Sequence, residues 1–209
     1  MTGSAVIHQP TLLGATEPDI DRGAPTERIH LDATSWIDVT REWLGGADEL
    51  AFRLTETVPW RQGRRRMWDR MLDDPRLSYW ARRDDVPFDL SIASMQHTLE
   101  RTYGYRLRRP GFNYYRDGRD SVAWHADREL RDLDDTLVAI VTLGTCRPFL
   151  VRPKGGGASI DISPGSGDLL VMGGAAQRDW QHAVPKTSRP GSRISISWRC
   201  TMGPSRHNV

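Results

Sequence analysis

Lysine is nearly missing from this chain. Of its 29 basic residues only Lys154 and Lys186 are lysine, and the rest are arginine. Cysteine is as scarce: Cys146 and Cys200 are the only two. Their separation excludes a disulfide framework or a thiolate zinc site as the basis of the fold. No apolar run approaches the roughly 18–20 residues of a membrane-spanning helix, so no membrane partner is expected. The first residues also lack the basic-then-apolar order of a secretory signal, and a cytoplasmic protein is expected. No internal repeat occurs. What is present suits an ordinary globular protein: 209 residues, 38% hydrophobic and 27% charged. A chain of this length buries a real core without covalent staples, and one compact, monomeric domain is expected.

The net charge of +2 hides an uneven distribution. Residues 1–59 carry net −6, residues 60–110 net +5 and residues 111–209 net +3. Arginine grips phosphate in a bidentate way that lysine does not, so an anionic polymer is a permitted partner. Arg61, Arg64, Arg65, Arg66 and Arg70 form the densest run. They suit phosphate contacts and a solvated basic loop equally well.

Residues 1–30 are rich in proline, glycine, threonine and acids, which predicts a mobile arm with one short strand. Trp36–Leu44 suits a strand. Leu50 and Leu54 fall on one face of a helix over Ala47–Glu56, which Val58-Pro59 then stops. Residues 61–90 mix arginine, aromatics and turn formers, predicting irregular loops or short hairpins. Ile92, Met95, Leu99 and Tyr103 define a helix over Ser91–Tyr103, ended by Gly104. After Gly111 short β-like runs follow one another: Leu137–Leu143, Pro148–Arg152, Ala158–Ile162, Leu169–Met172 and Arg193–Thr201. Helices first and many short strands later predict an α+β chain with an antiparallel sandwich or barrel at its core.

Three stretches carry chemistry. His125-Ala126-Asp127 puts an imidazole and a carboxylate on the same side of extended backbone, where one metal reaches both. His182 is the best third ligand, and two histidines with one carboxylate form the facial triad of non-haem Fe(II) oxygenases. By itself this is a weak signal, because both residue types are common at surfaces and in cores. His97 falls on a helix and suits a structural role. In Arg193–Arg199, alternation puts Arg193, Ser195, Ser197 and Arg199 on one face and Ile194, Ile196 and Trp198 on the other. Two guanidiniums on one face suit an anion with two separated carboxylates, such as 2-oxoglutarate. The same face also suits the solvated side of an edge strand. Asn113 and Tyr115 share a strand face and can each donate to a carboxylate.

Taken together, these stretches resemble the AlkB family of Fe(II)/2-oxoglutarate-dependent dealkylases. The resemblance rests on NYYRDGRDSVAWHADRE (113–129), LVAIVTLGTCRPFLVR (137–152), DWQHAVPK (179–186) and RISISWR (193–199), with weaker echoes in VPW (58–60) and PRLSYW (75–80). It looks closest to the branch that repairs N-alkylated bases. It implies a double-stranded β-helix (jelly-roll) core over residues 111–203, preceded by the arm and by a helical, substrate-recognition extension over 31–110.

By the same resemblance His125, Asp127 and His182 hold Fe(II). Asn113, Tyr115, Arg193 and Arg199 bind 2-oxoglutarate, with Arg193 and Tyr115 at the far carboxylate and Arg199 and Asn113 at the chelating end. Ser195 stands where several relatives have asparagine, which puts its own contact to 2-oxoglutarate in doubt. Glu129 matches an acidic position facing the target base, and Arg147 is assigned to the substrate. Trp80 is the candidate base-stacking aromatic, and a core position suits it as well. The implied reaction consumes O2 and 2-oxoglutarate and removes an alkyl group from a base of the 1-methyladenine or 3-methylcytosine type. The base lies in DNA or RNA, either single-stranded or flipped from a duplex. The rival readings are an oxygenase acting on a protein or small metabolite, and a binding module of the same fold without turnover.

Overall fold

The computed structural model describes residues 16–67, 69–82, 85, 88–188 and 190–201, with the side chains at 65–67 and 70 also outside the description. The N-terminal half contains β1 (Asp19–Ile20), β2 (Thr26–His30), β3 (Ser35–Thr40), β4 (Leu44–Gly45), α1 (Ala47–Thr57), β5 (Arg61–Met67), β6 (Arg70–Trp80) and α2 (Leu90–Tyr103). There follow β7 (Gly111–Tyr115), β8 (Val122–His125), β9 (Thr136–Gly144), β10 (Leu150–Pro153), β11 (Ile160–Asp161) and β12 (Leu169–Gly174). The short helix α3 (Ala176–Asp179), β13 (Trp180–Val184) and β14 (Arg193–Arg199) complete the order.

The strands form an eight-stranded sheet in the order β2-β3-β12-β9-β14-β7-β6-β5 and a four-stranded sheet in the order β11-β10-β13-β8. A separate pair joins β1 to β4. Their pairings are antiparallel. The large sheet is therefore continuous through both halves of the chain. β3 pairs with β12 and β6 with β7, so residues 31–110 supply strands to the core sheet as well as two helices.

Helix α2 forms where the apolar spacing predicts it. Asp89 caps its start by accepting from the Ser91 amide at 2.9 Å, and Gly104, with φ 74°, ends it. Its buried residues Ile92, Met95 and Leu99 belong to one core with Phe112, Ile194, Ile196 and Trp198. Tyr103, on the last turn of α2, stacks on Trp36 with ring centroids 6.1 Å apart.

Two regions differ from the sequence-based expectation. Within the predicted arm, residues 16–30 contain β1 and β2, and β2 pairs along its length with β3. Arg28 anchors it, forking Asp38 at 2.6 and 2.8 Å with its guanidinium 3.9 Å above the Trp36 ring. β2 hides from sequence reading because it is an edge strand with little buried surface. β5 and β6 form one long hairpin, meeting in part the expectation of irregular loops or short hairpins, with β6 held from both sides by β5 and β7.

The turn that launches α3 depends on close packing. Gly173 lies under the Trp36 ring, and Gly174, with φ 66°, brings its α-carbon against the Thr34 carbonyl. Ala175 then donates to that same carbonyl at 3.2 Å. A side chain at position 174 meets both left-handed strain and backbone, neither of which relaxes easily. Gly174→Ala is therefore expected to cost about 2–4 kcal/mol of stability. Chemical denaturation checks this, with the melting temperature falling in parallel.

Candidate functional site

β8 ends at His125, and β13 carries His182 directly opposite it in the strand register. Asp127 follows two residues after His125, and ligand atoms of the three side chains all lie within 4.8 Å of one another. The rings of His125 and His182 are 4.2 Å apart, and Phe149 stacks on His182 at 5.4 Å. His125 Nδ1 lies 2.9 Å from the Ala123 carbonyl. A carbonyl only accepts, so Nδ1 carries the proton and Nε2 keeps the lone pair that a metal would need. His182 is buried, and its Nδ1 has no hydrogen-bond partner among the described residues.

The electrostatics suit a cation. Burial pulls His182 from its ordinary 6.5 down to about 3, with His125 adding to the shift. Burial lowers His125 in the same direction. Both imidazoles are thus neutral ligands at pH 7. Burial alone pushes the Asp127 carboxyl up, but the charge and hydrogen bonds of Arg199 outweigh it and hold the group ionised below its ordinary value. Two neutral imidazoles and one carboxylate, converging within reach of one ion, fit Fe(II). Asp127 is held twice. Arg199 donates to both its oxygens at 2.8 and 3.0 Å, and its backbone amide donates to the buried Gln177 Oε1 at 2.9 Å.

Beside the triad runs the polar face of β14. β14 lies between β9 and β7 and is buried on both faces, so the edge-strand reading of its arginines and serines does not hold. Arg193 pairs in register with Tyr115 and Ser195 with Asn113. Arg193 is 2% exposed, donates to Thr142 Oγ1 at 3.0 Å and leaves Nε without a partner. Its guanidinium lies 5.3 Å from the Tyr115 ring, and that of Arg147 lies at the same distance. Burial lowers the pKa of both arginines. Among the described residues no carboxylate pairs with either. A buried guanidinium without an anion costs several kcal/mol, and a carboxylate of 2-oxoglutarate supplies what is missing.

Arg147 departs from its expected role. It is 1% exposed, and it donates to the carbonyls of Asp117 at 3.0 Å, Asp120 at 2.7 Å and Pro185 at 2.9 Å. It thus anchors the 117–120 loop at the Tyr115 end of the site, its donors taken up by the main chain. Arg199 departs in part. The resemblance puts it on the chelating end of 2-oxoglutarate, whereas here its fork is taken up by Asp127, with Glu129 at 3.5 Å. Asn113 is also engaged, its Oδ1 accepting from Arg76 Nε at 2.8 Å, which turns its NH2 away from Arg76.

Trp80 is not a core residue. It is 51% exposed, and its ring lies 4.6 Å from the Arg199 guanidinium. The ring also covers Gly111, its register partner, where any side chain would collide with it. Glu129, half-exposed, lies 3.5 Å from Arg199 Nε. His97 is exposed on α2 and takes no part in the triad.

Sequence reading missed Arg76 and Gln177. Arg76 shares a face of β6 with Ser78 and Trp80, so the alternation that singled out Asn113 and Tyr115 could have found it once this stretch was read as a strand. Gln177 gives no such signal, because only the fold brings it to Asp127.

The histidine shifts yield a sign. Between pH 6.5 and about 3 the unfolded chain binds a proton at His182 that the folded protein refuses. Lowering the pH through this window therefore favours unfolding of the metal-free protein, by about 1.4 kcal/mol per pH unit for that proton. Urea titrations at successive pH values should show this slope, and His182→Gln should flatten it.

Comparison with known proteins agrees with this geometry. The sequence profile of the 2OG-Fe(II) oxygenase superfamily matches residues 89–209. The rat alpha-ketoglutarate-dependent dioxygenase alkB homolog 3 is 32% identical over 176 residues, 73% of this chain and 59% of that protein. The Arabidopsis thaliana DNA oxidative demethylase ALKBH2 is 32% identical over 123 residues, 47% of this chain and 39% of its own length. The chain thus spans less than two thirds of the curated relatives it matches. Among solved structures, a prolyl-4-hydroxylase of Pseudomonas putida superposes with a TM-score of 0.56 at 16% identity, covering 80% of this chain and 93% of that one. This likeness shows the shared jelly-roll fold. The triad, the buried arginine pocket and the profile match lead to one conclusion: the chain belongs to the 2OG-Fe(II) oxygenase superfamily.

Proposed function

We propose that this chain is an Fe(II)/2-oxoglutarate-dependent dioxygenase that removes alkyl groups from N-alkylated bases of the 1-methyladenine or 3-methylcytosine type in DNA or RNA. The observation that carries the oxygenase reading is the pairing of a complete His-Asp-His triad with a buried, anion-deficient arginine pocket on the adjoining strands. The nucleic-acid reading is supported by relatives named for AlkB-type and DNA-demethylating activity.

Each residue then has a task. His125, Asp127 and His182 would hold the iron, and Arg193 with Tyr115 would receive the far carboxylate of 2-oxoglutarate. Ser195 lies two residues along from Arg193, opposite Asn113 in the strand register, and is buried. When bound, iron and 2-oxoglutarate supply the oxidation: one oxygen atom of O2 goes to succinate as CO2 leaves, and the other to the alkyl carbon. The hydroxylated carbon would depart as an aldehyde, its hydroxyl proton released, and the N–C bonding pair would return to the ring nitrogen as a lone pair. Trp80, half-exposed over Arg199, offers a stacking surface for an unpaired or flipped base. Glu129 beside it gives a cationic alkylated base an acidic partner. The exposed Arg61 and Arg64 of the β5–β6 hairpin suit phosphates entering along β6.

Incubating the protein with Fe(II), 2-oxoglutarate and O2 tests the reading on methylated oligonucleotides and methylated peptides side by side. Aldehyde and succinate in equal amounts from an oligonucleotide are expected. Aldehyde from the peptide alone would move the substrate to protein. A second expectation concerns the pocket: Arg193→Met should raise the 2-oxoglutarate KM about 30-fold, the loss of about 2 kcal/mol of charge-assisted hydrogen bonding. Initial rates across a 2-oxoglutarate series read this directly.

A further inference from the structure

We propose that Gln177 is a positioning residue for the metal: its buried side-chain amide locks the peptide bearing Asp127 and so sets the geometry of the triad before any ion arrives. This inference rests on reading His125, Asp127 and His182 as the Fe(II) site.

The argument starts from the position of Asp127. It follows His125 by two residues, just beyond the end of β8, where no strand partner continues the ladder. Its backbone amide is nevertheless buried and needs an acceptor. That acceptor is Gln177 Oε1, at 2.9 Å, on a side chain that is fully buried. The other end of the same amide fixes its orientation. Gln177 Nε2 lies 3.7 Å from Met172 Sδ, a sulfur that only accepts, so the NH2 group faces Met172 and the oxygen faces Asp127.

The elements that carry Gln177 are themselves held. Gly174 is pressed against Thr34, Ala175 donates to the Thr34 carbonyl, and α3 follows at once. Five residues beyond Gln177 the chain reaches His182. One side chain therefore ties the segment carrying the distal histidine to the segment carrying the other two ligands. Arg199 holds the Asp127 carboxylate from β14, but it cannot hold the peptide plane. Release of that plane lets the carboxylate swing while its charge pair stays intact. Outer partners of this kind typically change metal affinity by about 10–100-fold.

Gln177→Met keeps the length and burial of the side chain while removing the acceptor. Anaerobic Fe(II) and Co(II) titrations of wild type and variant, with the visible absorption of bound Co(II) as the geometric readout, test the inference. We expect at least a tenfold rise in the Kd of both ions and an altered Co(II) spectrum. Gln177→Glu restores an acceptor at the same atom and should recover most of the affinity. A role confined to stability would lower the melting temperature of the metal-free variant while leaving Kd and spectrum as in wild type, and that result overturns the inference. Should Gln177→Met fail to fold, Gln177→Asn, one methylene short of Asp127, reads the same quantity with the same two outcomes. Wild-type protein that takes up neither ion would overturn the triad reading and the inference with it. Equal affinities in wild type and variant would overturn the inference alone.

Discussion

A charge buried between two sheets must find its counter-charge inside the protein or bring it in with a ligand. Three arginines in this molecule meet that constraint in different ways. Arg199 reaches across to Asp127, joining the large sheet to the loop that leaves the small one. Arg147 disperses its charge over three backbone carbonyls. Arg193 has the Thr142 hydroxyl and Tyr115, through a hydrogen bond and its ring, and no carboxylate among the described residues. The fold thus keeps one guanidinium neutralised, one solvated by the main chain and one in deficit. The deficit lies on the strand that also carries the arginine holding a candidate metal ligand. An anion that bridges from Arg193 toward the triad settles the imbalance and enters the reaction at the same time.

This arrangement constrains the order of events. Asp127 and Arg199 already occupy one another, so the metal meets a carboxylate whose orientation is settled. The histidines meet it as neutral bases, because burial has removed their protons. Little reorganisation is left for metal entry. Asn113, in contrast, is held by Arg76, which lies close enough to His125 to disfavour its protonation. β6 therefore takes part in the site through Arg76 as well as through Trp80.

How much of this was legible in the sequence depends on how local each signal is. The spacing of Ile92, Met95 and Leu99 marks α2, and the alternation in Arg193–Arg199 marks β14, because each pattern lies within one element. The His-x-Asp pair is local too, and the distant His182 is the best third ligand on sequence alone, a choice that the family resemblance then supports. β2 and the β5–β6 hairpin were legible only loosely, as one short strand and as loops or short hairpins, because strand pairing stabilises them from outside their own sequence. The roles of Arg147 and Gln177 escaped for the same reason. A buried arginine on carbonyls and a buried glutamine on an amide look, in sequence, like any surface polar residue. The two faces of β14 show the limit most clearly. Alternation separates them correctly, but only the neighbours β7 and β9 show that both are buried.

The hairpin has a consequence for solution behaviour. β5 is the outermost strand of the eight-stranded sheet, and an outermost strand offers unpaired backbone groups to any second chain that can align with it. Arg61 and Arg64 stand exposed on this strand, and like charges brought together by edge-to-edge pairing repel. Arg61 is thus placed to discourage such pairing, whereas the Arg64 charge is met by Asp73 at 3.2 Å. On the proposed function, a bound nucleic acid would mask these charges, while the free protein keeps their repulsion along its open edge. A variant neutralised there to weaken nucleic-acid affinity would also lose colloidal protection.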